Sequence, residues 1–114
     1  MENIKNNLRK ITPLLNKGER IQKSLFGTFQ ELENENSIPI KGILCATNER
    51  ICFYSEEIDH SFSALDYYKI DSVDILPSQL SLLHEGIQHS ITFIEEGDLH
   101  DFNHYVLDRM EIKA

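Results

Sequence analysis

The sequence predicts a mainly β domain of the α+β class, in which a C-terminal helix caps a bent antiparallel sheet of seven strands and an extra helix precedes the sheet. Three observations predict this fold: short segments of alternating apolar residues, polar turns between them, and an apolar stripe at helical spacing near the C-terminus. With 114 residues, the chain is long enough to bury one core. We divide it into an N-terminal amphipathic helical segment, residues 1–17, and one main domain, residues 18–114.

The N-terminal segment has apolar residues at helical spacing, with basic residues beside them. The apolar positions are Ile4, Leu8, Ile11 and Leu15. Because Pro13 cannot lie inside an unbroken helix, we expect the helix to end near Ile11. A separate turn, capped by Thr12, is expected to follow and to end at Gly18. We expect this segment to pack on the domain, and binding to a membrane surface is the alternative.

Residues 41–54 are predicted to form a β-hairpin, because two apolar runs flank the polar turn Thr47-Asn48-Glu49-Arg50. Asparagine tolerates the left-handed backbone of tight turns, which suits Asn48. With Asn48 and Glu49 at the tip, residues whose numbers sum to 97 face each other. The pairs on the predicted core face are Leu44 with Phe53 and Ala46 with Ile51, and those on the second face are Ile43 with Tyr54 and Cys45 with Cys52. The second face is also apolar, so we expect a terminal helix to cover it.

Alternation and turn residues predict five further strands. They cover residues 20–29, 58–63, 72–76, 80–84 and 87–93. Between the first two strands of the sheet, the polar and acidic residues 30–37 predict an exposed loop. A turn at Glu85-Gly86 fixes the register of the last two strands, with Leu80 opposite Ile91 and Leu82 opposite His89. The positions that share the core face of the last strand are Ile87, His89, Ile91 and Phe93.

The last element is predicted to be a helix with Asp98 as its N-cap. Its apolar stripe consists of Leu99, Phe102, Val106 and Met110. His100, His104 and Asp108 share another face, and histidines four residues apart on a helix are an arrangement that binds zinc. However, a polar face opposite an apolar stripe is normally solvated, and zinc peptidases carry Glu where this chain has Asp101. We therefore assign no metal ligand and keep a metal-dependent enzyme at these three residues as a remote alternative.

For the other candidate residues, the sequence favours structural roles over catalytic or ligand-binding ones. His89 falls on the core face, which favours a hydrogen-bonded histidine in the core or at the mouth of a barrel, whereas His60 and His84 have no partner visible in the sequence. Cys45 and Cys52 face each other, and we expect two free thiols within bridging distance. No motif of nucleophilic, nucleotide-binding or paired-carboxylate chemistry occurs. We therefore predict no catalytic residue, no cofactor and no enzymatic activity.

The net charge of −8 is unevenly distributed. The first 23 residues carry six basic and two acidic side chains, a balance of +4, and the remainder carries five basic and seventeen acidic ones, a balance of −12. Because an acidic surface repels polyanions, we predict no nucleic-acid binding. No apolar run approaches the ~20 residues of a membrane span and no export signal is visible, so we expect a cytoplasmic protein.

Three segments resemble the bacterial PH-like domains, in particular the YokE-like PH family of Firmicutes. They are Gly18-Glu19-Arg20-Ile21, the hairpin residues 42–53, and residues 68–73. The resemblance covers about residues 14–112 and implies the pleckstrin-homology (PH) fold, a seven-stranded bent sheet or barrel with a capping helix. It also implies a non-enzymatic module that binds protein or lipid, in a group whose members sometimes form rings.

Eukaryotic phosphoinositide binders of this architecture use a basic cluster between the first two strands. Here residues 30–39 carry Glu31, Glu33 and Glu35 and no Lys or Arg, so we predict no phosphoinositide binding. We expect a binding or scaffolding module that recognises a protein partner at a sheet edge or a groove. Peripheral membrane association through the basic N-terminal helix is the alternative, and homo-oligomerisation stays open.

Overall fold

The computed structural model describes residues 4–31, 38–56 and 61–113. Within these ranges the chain forms seven strands, two α-helices and two single-turn 3-10 helices. The α-helices and strands are α1 (Ile4–Ile11), β1 (Ile21–Glu31), β2 (Ile40–Thr47), β3 (Arg50–Ser55), β4 (Ser61–Asp66), β5 (Ile70–Leu76), β6 (Gln79–His84), β7 (Ile87–Glu96) and α2 (Leu99–Lys113). The 3-10 helices are Thr12–Leu14 and Tyr67–Lys69.

The strands form one antiparallel sheet in the order β4-β3-β2-β1-β7-β6-β5. The sheet curls into a half-barrel, and α2 packs its apolar stripe into the main core on the concave side. This arrangement confirms the predicted fold class and has the architecture of the PH-like fold.

The β2–β3 hairpin has the predicted register, with Leu44 opposite Phe53 and Cys45 opposite Cys52. Its predicted core face belongs to the main core with residues of β6, β7 and α2. Its second face is covered by α1, whose Ile11 is fully buried in a second apolar cluster with the two cysteines. The expectation that a terminal helix covers this face is therefore confirmed.

The hairpin turn is held by side chains and not by a left-handed asparagine. Asn48 has no positive φ, so that part of the prediction is wrong. Its side-chain oxygen accepts a hydrogen bond from the backbone N–H of Arg20 at 2.6 Å. The hydroxyl of Thr47 accepts from the N–H groups of Glu49 and Arg50, at 3.0 Å each. A threonine hydroxyl that accepts from the next N–H groups stabilises a tight turn within ordinary backbone geometry.

Two glycines allow the central strands to approach closely. Gly27 and Gly42 face each other across β1 and β2. A Cβ at Gly42 would lie 2.3 Å from the carbonyl oxygen of Tyr54, and one at Gly27 would lie 2.7 Å from that of Thr92. Both distances are shorter than any ordinary contact, so only glycine fits the curled sheet at these positions.

The N-terminal segment follows the prediction except in the cap and the length of its turn, which ends at Leu14 and not at Gly18. α1 ends at Ile11, and Pro13 lies in the following 3-10 helix. Thr12 does not cap this turn, because its hydroxyl donates to the carbonyl oxygen of Leu8 at 2.6 Å and Ile11 occupies the cap position. A threonine hydroxyl at a helix end reaches the carbonyl four residues back, and this local bond competes with capping.

Several strands extend beyond their predicted bounds, including β5, which begins at Ile70, and β7, which continues to Glu96. Residues 30–31 extend β1 because they pair with β7, so they do not begin an exposed loop, and residues 32–37 of that loop lie outside the described residues. β4 continues to Asp66, beyond the predicted 58–63, and residues 58–60 also lie outside the described residues.

The β6–β7 hairpin has the predicted register. Its cross-strand pairs include Leu80 with Ile91 and Leu82 with His89. The predicted alternation of β7 is wrong at both ends, because Ile87 and Phe93 are exposed. Phe93 is exposed because the pairing between β7 and β1 is interrupted at this point.

The helix α2 begins as predicted, with the carboxylate of Asp98 accepting a hydrogen bond from the N–H of Asp101 at 3.0 Å. Phe102 and Val106 are fully buried in the main core, and Leu99 packs against it with part of its surface exposed. The predicted apolar stripe is therefore the surface by which α2 docks on the sheet.

Candidate functional site

An open groove lies between the β5–β6 turn, the last part of β7 and the start of α2. Its volume is about 510 Å³, and its lining residues are Pro77, Ser78, Gln79, Thr92, Phe93, Ile94 and Leu99. Four of these seven side chains are apolar and three are polar but uncharged. An open groove of this composition suits a segment of another protein better than a small molecule, which normally needs an enclosed pocket.

Phe93 is the most exposed of the large apolar residues described, with 79% of its surface accessible. Its backbone φ is +48°, a region that bulky residues rarely adopt. Holding an ordinary residue in this left-handed region costs roughly 1–2 kcal/mol. Because the exposed ring gains little from packing, the stability of the fold does not explain an aromatic residue at this position.

A bulge in β7 turns Phe93 toward solvent. In the pairing of β7 with β1, residues 93–95 lie opposite Gly27 alone. The extra residues allow Ile94 to pack against the main core, whereas the preceding ring points outward. The bulge therefore creates one wall of the groove.

The opposite wall carries a second residue in an uncommon conformation. Ser78 follows Pro77 in the two-residue turn between β5 and β6 and has a φ of +68°. Turns with proline at this place usually require glycine at the next position, because φ is positive there. Of the three described non-glycine residues with positive φ, two therefore line this groove.

The open end of the half-barrel contains two buried histidines. His89 stacks on Phe29, with 5.4 Å between ring centroids, and lies 6.3 Å from the ring of His84. His84, for which the sequence shows no partner, therefore has the ring of His89 as a neighbour. Burial lowers the pKa of His89, and this effect and that of His84 outweigh the opposite influence of Glu31. The side chain of His89 is buried, and its Nδ1 has no hydrogen-bond partner among the described residues.

A hollow of about 200 Å³ adjoins Phe29 at the same end. Its lining residues are Phe29, Gln30, Glu31, Ile38, Ile40, Phe53 and Ser63. Among these, the charged side chain is the carboxylate of Glu31. A phosphorylated head group entering this hollow would meet that negative charge and no cation from the lining.

Two of the three segments that carry the sequence resemblance, residues 18–21 and 42–53, meet in a buried network. Arg50 donates from Nε and Nη2 to the two carboxylate oxygens of Glu19, at 3.0 and 3.1 Å, and the Glu19 side chain is fully buried. Glu19 also accepts from the hydroxyl of Thr47 at 2.6 Å and from the N–H of Asn16 at 2.9 Å. Burial alone would raise the pKa of Glu19, but the bonds from Arg50, Thr47 and Asn16 hold it below its ordinary value. The motif residues are therefore engaged in stabilising the fold.

Cys45 and Cys52 are buried free thiols that face each other, as the register predicts. Burial raises the pKa of both thiols, that of Cys52 to about 12. A thiol with such a pKa is protonated at neutral pH and is a poor nucleophile.

We expect iodoacetamide to alkylate neither cysteine of the folded protein at neutral pH and both in denaturant, as measured by mass spectrometry. Rapid modification of one thiol in the native protein would contradict the packing of α1 over this face.

The residues of the remote metal-site alternative are exposed on α2. His104 Nε2 lies 3.6 Å from Asp108 Oδ2, and both side chains are largely accessible, as is His100. Within residues 4–31, 38–56 and 61–113, no group of three or more His, Cys, Asp or Glu side chains is placed to hold a metal ion. The geometry of this helix gives the enzyme alternative no support.

The helix α1 offers a basic surface without a free apolar face. Ile11 is fully buried against the sheet, and Lys10 pairs with Glu56 at 2.7 Å. Lys5 and Arg9 are exposed on the outer side. Neither of the described α-helices is long and apolar enough to cross a membrane.

The alternation of apolar residues along β7 predicts that Phe93 lies in the core. The sequence therefore did not reveal the groove that Phe93 lines. A signal for the bulge is nevertheless present in the sequence, because Phe93 and Ile94 are adjacent apolar residues and strict alternation must break between them. Pro77 signals the end of β5, but nothing in the sequence indicates that Ser78 adopts a positive φ.

A family model for the GRAM domain matches residues 3–108 of the chain. The C-terminal domain of an unknown protein from Leishmania infantum has a similar crystal structure, with a TM-score of 0.64 and 18% identity over 97% of this chain and 100% of that one. A DUF1696 family protein with a pleckstrin-homology domain, from Shewanella loihica PV-4, has a TM-score of 0.61 and 12% identity over 96% of this chain and 99% of that one. At these identities the two structures show the fold alone. No curated protein matches the chain significantly.

Proposed function

Because the chain belongs to the GRAM domain family, we propose that it is a non-enzymatic binding module that recognises a protein segment in the groove beside Phe93. The PH-like fold of this family is commonly used for binding. A fold does not identify a partner, so the choice of protein as the ligand is argued from the site.

The observation that carries the proposal is the Phe93 ring, which is 79% exposed on backbone with a φ of +48°. Complete burial of a side chain of this size is worth roughly 1.5–3 kcal/mol, and folding of the isolated chain uses little of it. Exposed aromatic residues beside a groove are typical anchors of protein interfaces. A partner that covers the ring gains this free energy on association.

Membrane association through the N-terminal helix has less support from the packing. Ile11, from the apolar side of α1, is buried against β2 and β3. Insertion of that side into a membrane would require α1 to leave the sheet and expose the second apolar cluster. Recognition of a protein requires no such rearrangement.

We further propose that the chain is a bacterial, YokE-like member of the family that works in the cytoplasm. The segments at residues 18–21 and 42–53 support the first assignment, because they resemble the corresponding segments of that group. The buried free thiols of Cys45 and Cys52 support the second, since paired thiols persist in a reducing compartment.

Site-specific photo-cross-linking in the host cell tests the proposed function. A photoreactive phenylalanine analogue at position 93 is expected to form adducts with a discrete protein, identified by mass spectrometry. The control places the same analogue at Tyr68, which is 65% exposed and lies outside the groove lining. The same adducts from both positions, or adducts with lipid alone from position 93, would overturn the proposal.

The variant Phe93→Asn separates binding from stability. Asparagine adopts positive φ readily, and little buried area is lost, so we expect the free energy of unfolding to stay the same or to rise by up to ~1 kcal/mol. Partner affinity is expected to fall at least about tenfold, because an anchor residue is removed. Urea unfolding and binding titration measure the two effects.

The neighbouring variant Ile94→Ala is the matched control, because Ile94 packs against the main core. It is expected to destabilise the fold by roughly 1–3 kcal/mol, since its side chain is partly buried. If Phe93→Asn destabilised the chain as much as Ile94→Ala, the ring would serve the fold and the proposal would lose its main support.

A further inference from the structure

The part of the chain that forms the groove is strongly acidic. From residue 70 to residue 108 the sequence contains eight acidic residues and neither Lys nor Arg. This stretch supplies β5, β6, β7 and most of α2, and every residue that lines the groove belongs to it. The electrostatic potential at the groove therefore depends on these carboxylates and on the Lys side chains of other strands that pair with them.

Lysines from β1 and β2 neutralise some of these carboxylates. The pairs are Lys41 with Glu95 at 2.5 Å and Lys23 with Asp101 at 2.6 Å. Glu96 and Asp98 are exposed and have no ion-pair partner among the described residues. In sequence they lie between two lining residues, Ile94 and Leu99, where β7 passes into α2. Two carboxylates without an ion-pair partner among the described residues thus adjoin the groove lining in sequence, and that of Asp98 also caps α2.

We propose that the segment that binds in this groove is basic and belongs to another protein. An apolar side chain of the segment packs on Phe93, and Lys or Arg residues beside it face Glu96 and Asp98. This inference rests on the proposed function, because it names the chemistry of the partner for the same site. Complementary charge at Glu96 and Asp98 raises the rate of encounter and excludes acidic segments, whereas the apolar contact supplies affinity.

A second copy of the chain is the competing occupant, because the first 23 residues carry a balance of +4. In the folded chain, however, Ile11 docks α1 on the sheet, so its apolar residue is not free to enter a groove on another molecule. We therefore commit to a different protein. Analytical ultracentrifugation of the full chain is expected to show a monomer, and self-association that Phe93→Asn abolishes would overturn this choice of partner.

The test is selection from a displayed library of random 12-residue peptides, with the full chain as bait and Phe93→Asn for counter-selection. Peptides that bind the native chain and not the variant are expected to carry an apolar residue with Lys or Arg nearby. Their affinity is expected to fall as salt is added, because exposed charges are screened.

A charge variant tests the role of these two carboxylates directly. Glu96→Gln combined with Asp98→Asn removes two negative charges, and asparagine retains the N-cap of α2. The selected peptides are expected to bind this variant about five- to tenfold more weakly. The matched control is Asp108→Asn combined with Glu111→Gln, which removes two charges from the exposed surface farther along α2 and is expected to change affinity less than twofold.

The outcomes separate this inference from the proposed function. Peptides that depend on Phe93 but are acidic or uncharged, or that bind both charge variants equally, would overturn the basic partner and leave the groove as a binding site. Failure to recover any peptide that depends on Phe93, together with absent cross-linking from position 93, would overturn the proposed function itself.

Discussion

Replacing Arg50 with alanine is expected to lower the free energy of unfolding by about 3–5 kcal/mol at neutral pH. The variant leaves the carboxylate of Glu19, whose side chain is fully buried, without the guanidinium that bonds both of its oxygens. The hydroxyl of Thr47 and the N–H of Asn16 still donate to it, but they bring no compensating charge. Urea unfolding followed by circular dichroism measures the change.

The effect of Arg50→Ala is expected to depend on pH in a defined direction. In the native chain the pKa of Glu19 lies below its ordinary value of 4.5, so the ionised carboxylate stabilises the fold above that pH and loses this effect as pH falls through the folded pKa. Without Arg50, burial is expected to raise the pKa of Glu19 above the ordinary value. The difference in stability between the two proteins is therefore expected to be largest at neutral pH and to shrink near about pH 4.

The exposed Arg20 provides the matched control, because it lies next to Glu19 and contributes its backbone, not its guanidinium, to the described bond with Asn48. Arg20→Ala is expected to change stability by less than ~0.5 kcal/mol. Equal losses for Arg20→Ala and Arg50→Ala, or a loss for Arg50→Ala that does not vary with pH, would contradict the buried ion pair.

The register of both hairpins follows from the sequence, because the period of a strand is two and a slip of one residue would expose the whole apolar set. The docking of α2 follows for a related reason, since Phe102 and Val106 lie on one helical face and must be buried together. These features depend on short-range patterns that the printed sequence contains in full.

The groove and the histidine pair depend on contacts between distant segments, and for that reason the sequence did not reveal them. Phe93 turns outward because β7 bulges against Gly27 of β1, which is distant in sequence. His84 meets His89 because both lie on the inner face of one hairpin, and an apolar pattern says nothing about how two rings pack. The bond of Thr12 to Leu8 shows the same limit on a smaller scale, since the hydroxyl can either donate to a carbonyl four residues back or accept from an N–H of the next turn.

Phe102→Ala is expected to reduce the free energy of unfolding by about 3–5 kcal/mol, because it removes a fully buried ring and leaves a cavity between α2 and the sheet. The loss is comparable to the total stability of many domains of this size, so the variant is expected to be largely unfolded or close to it. Phe102→Leu fills most of the space and is expected to lose about 1.5 kcal/mol. The two variants are compared by thermal and urea unfolding.

Leu107→Ala is the control on the same helix, because Leu107 is 41% exposed. It is expected to lose less than about 1 kcal/mol. The Phe102 variants also test the groove, since Leu99 lies one turn before Phe102 and forms part of its lining. The folded Phe102→Leu variant is expected to bind peptides selected on the native chain within about threefold of the native affinity. If Phe102→Ala were no less stable than Leu107→Ala, the docking of α2 on the concave side, and with it the wall that Leu99 provides, would be contradicted.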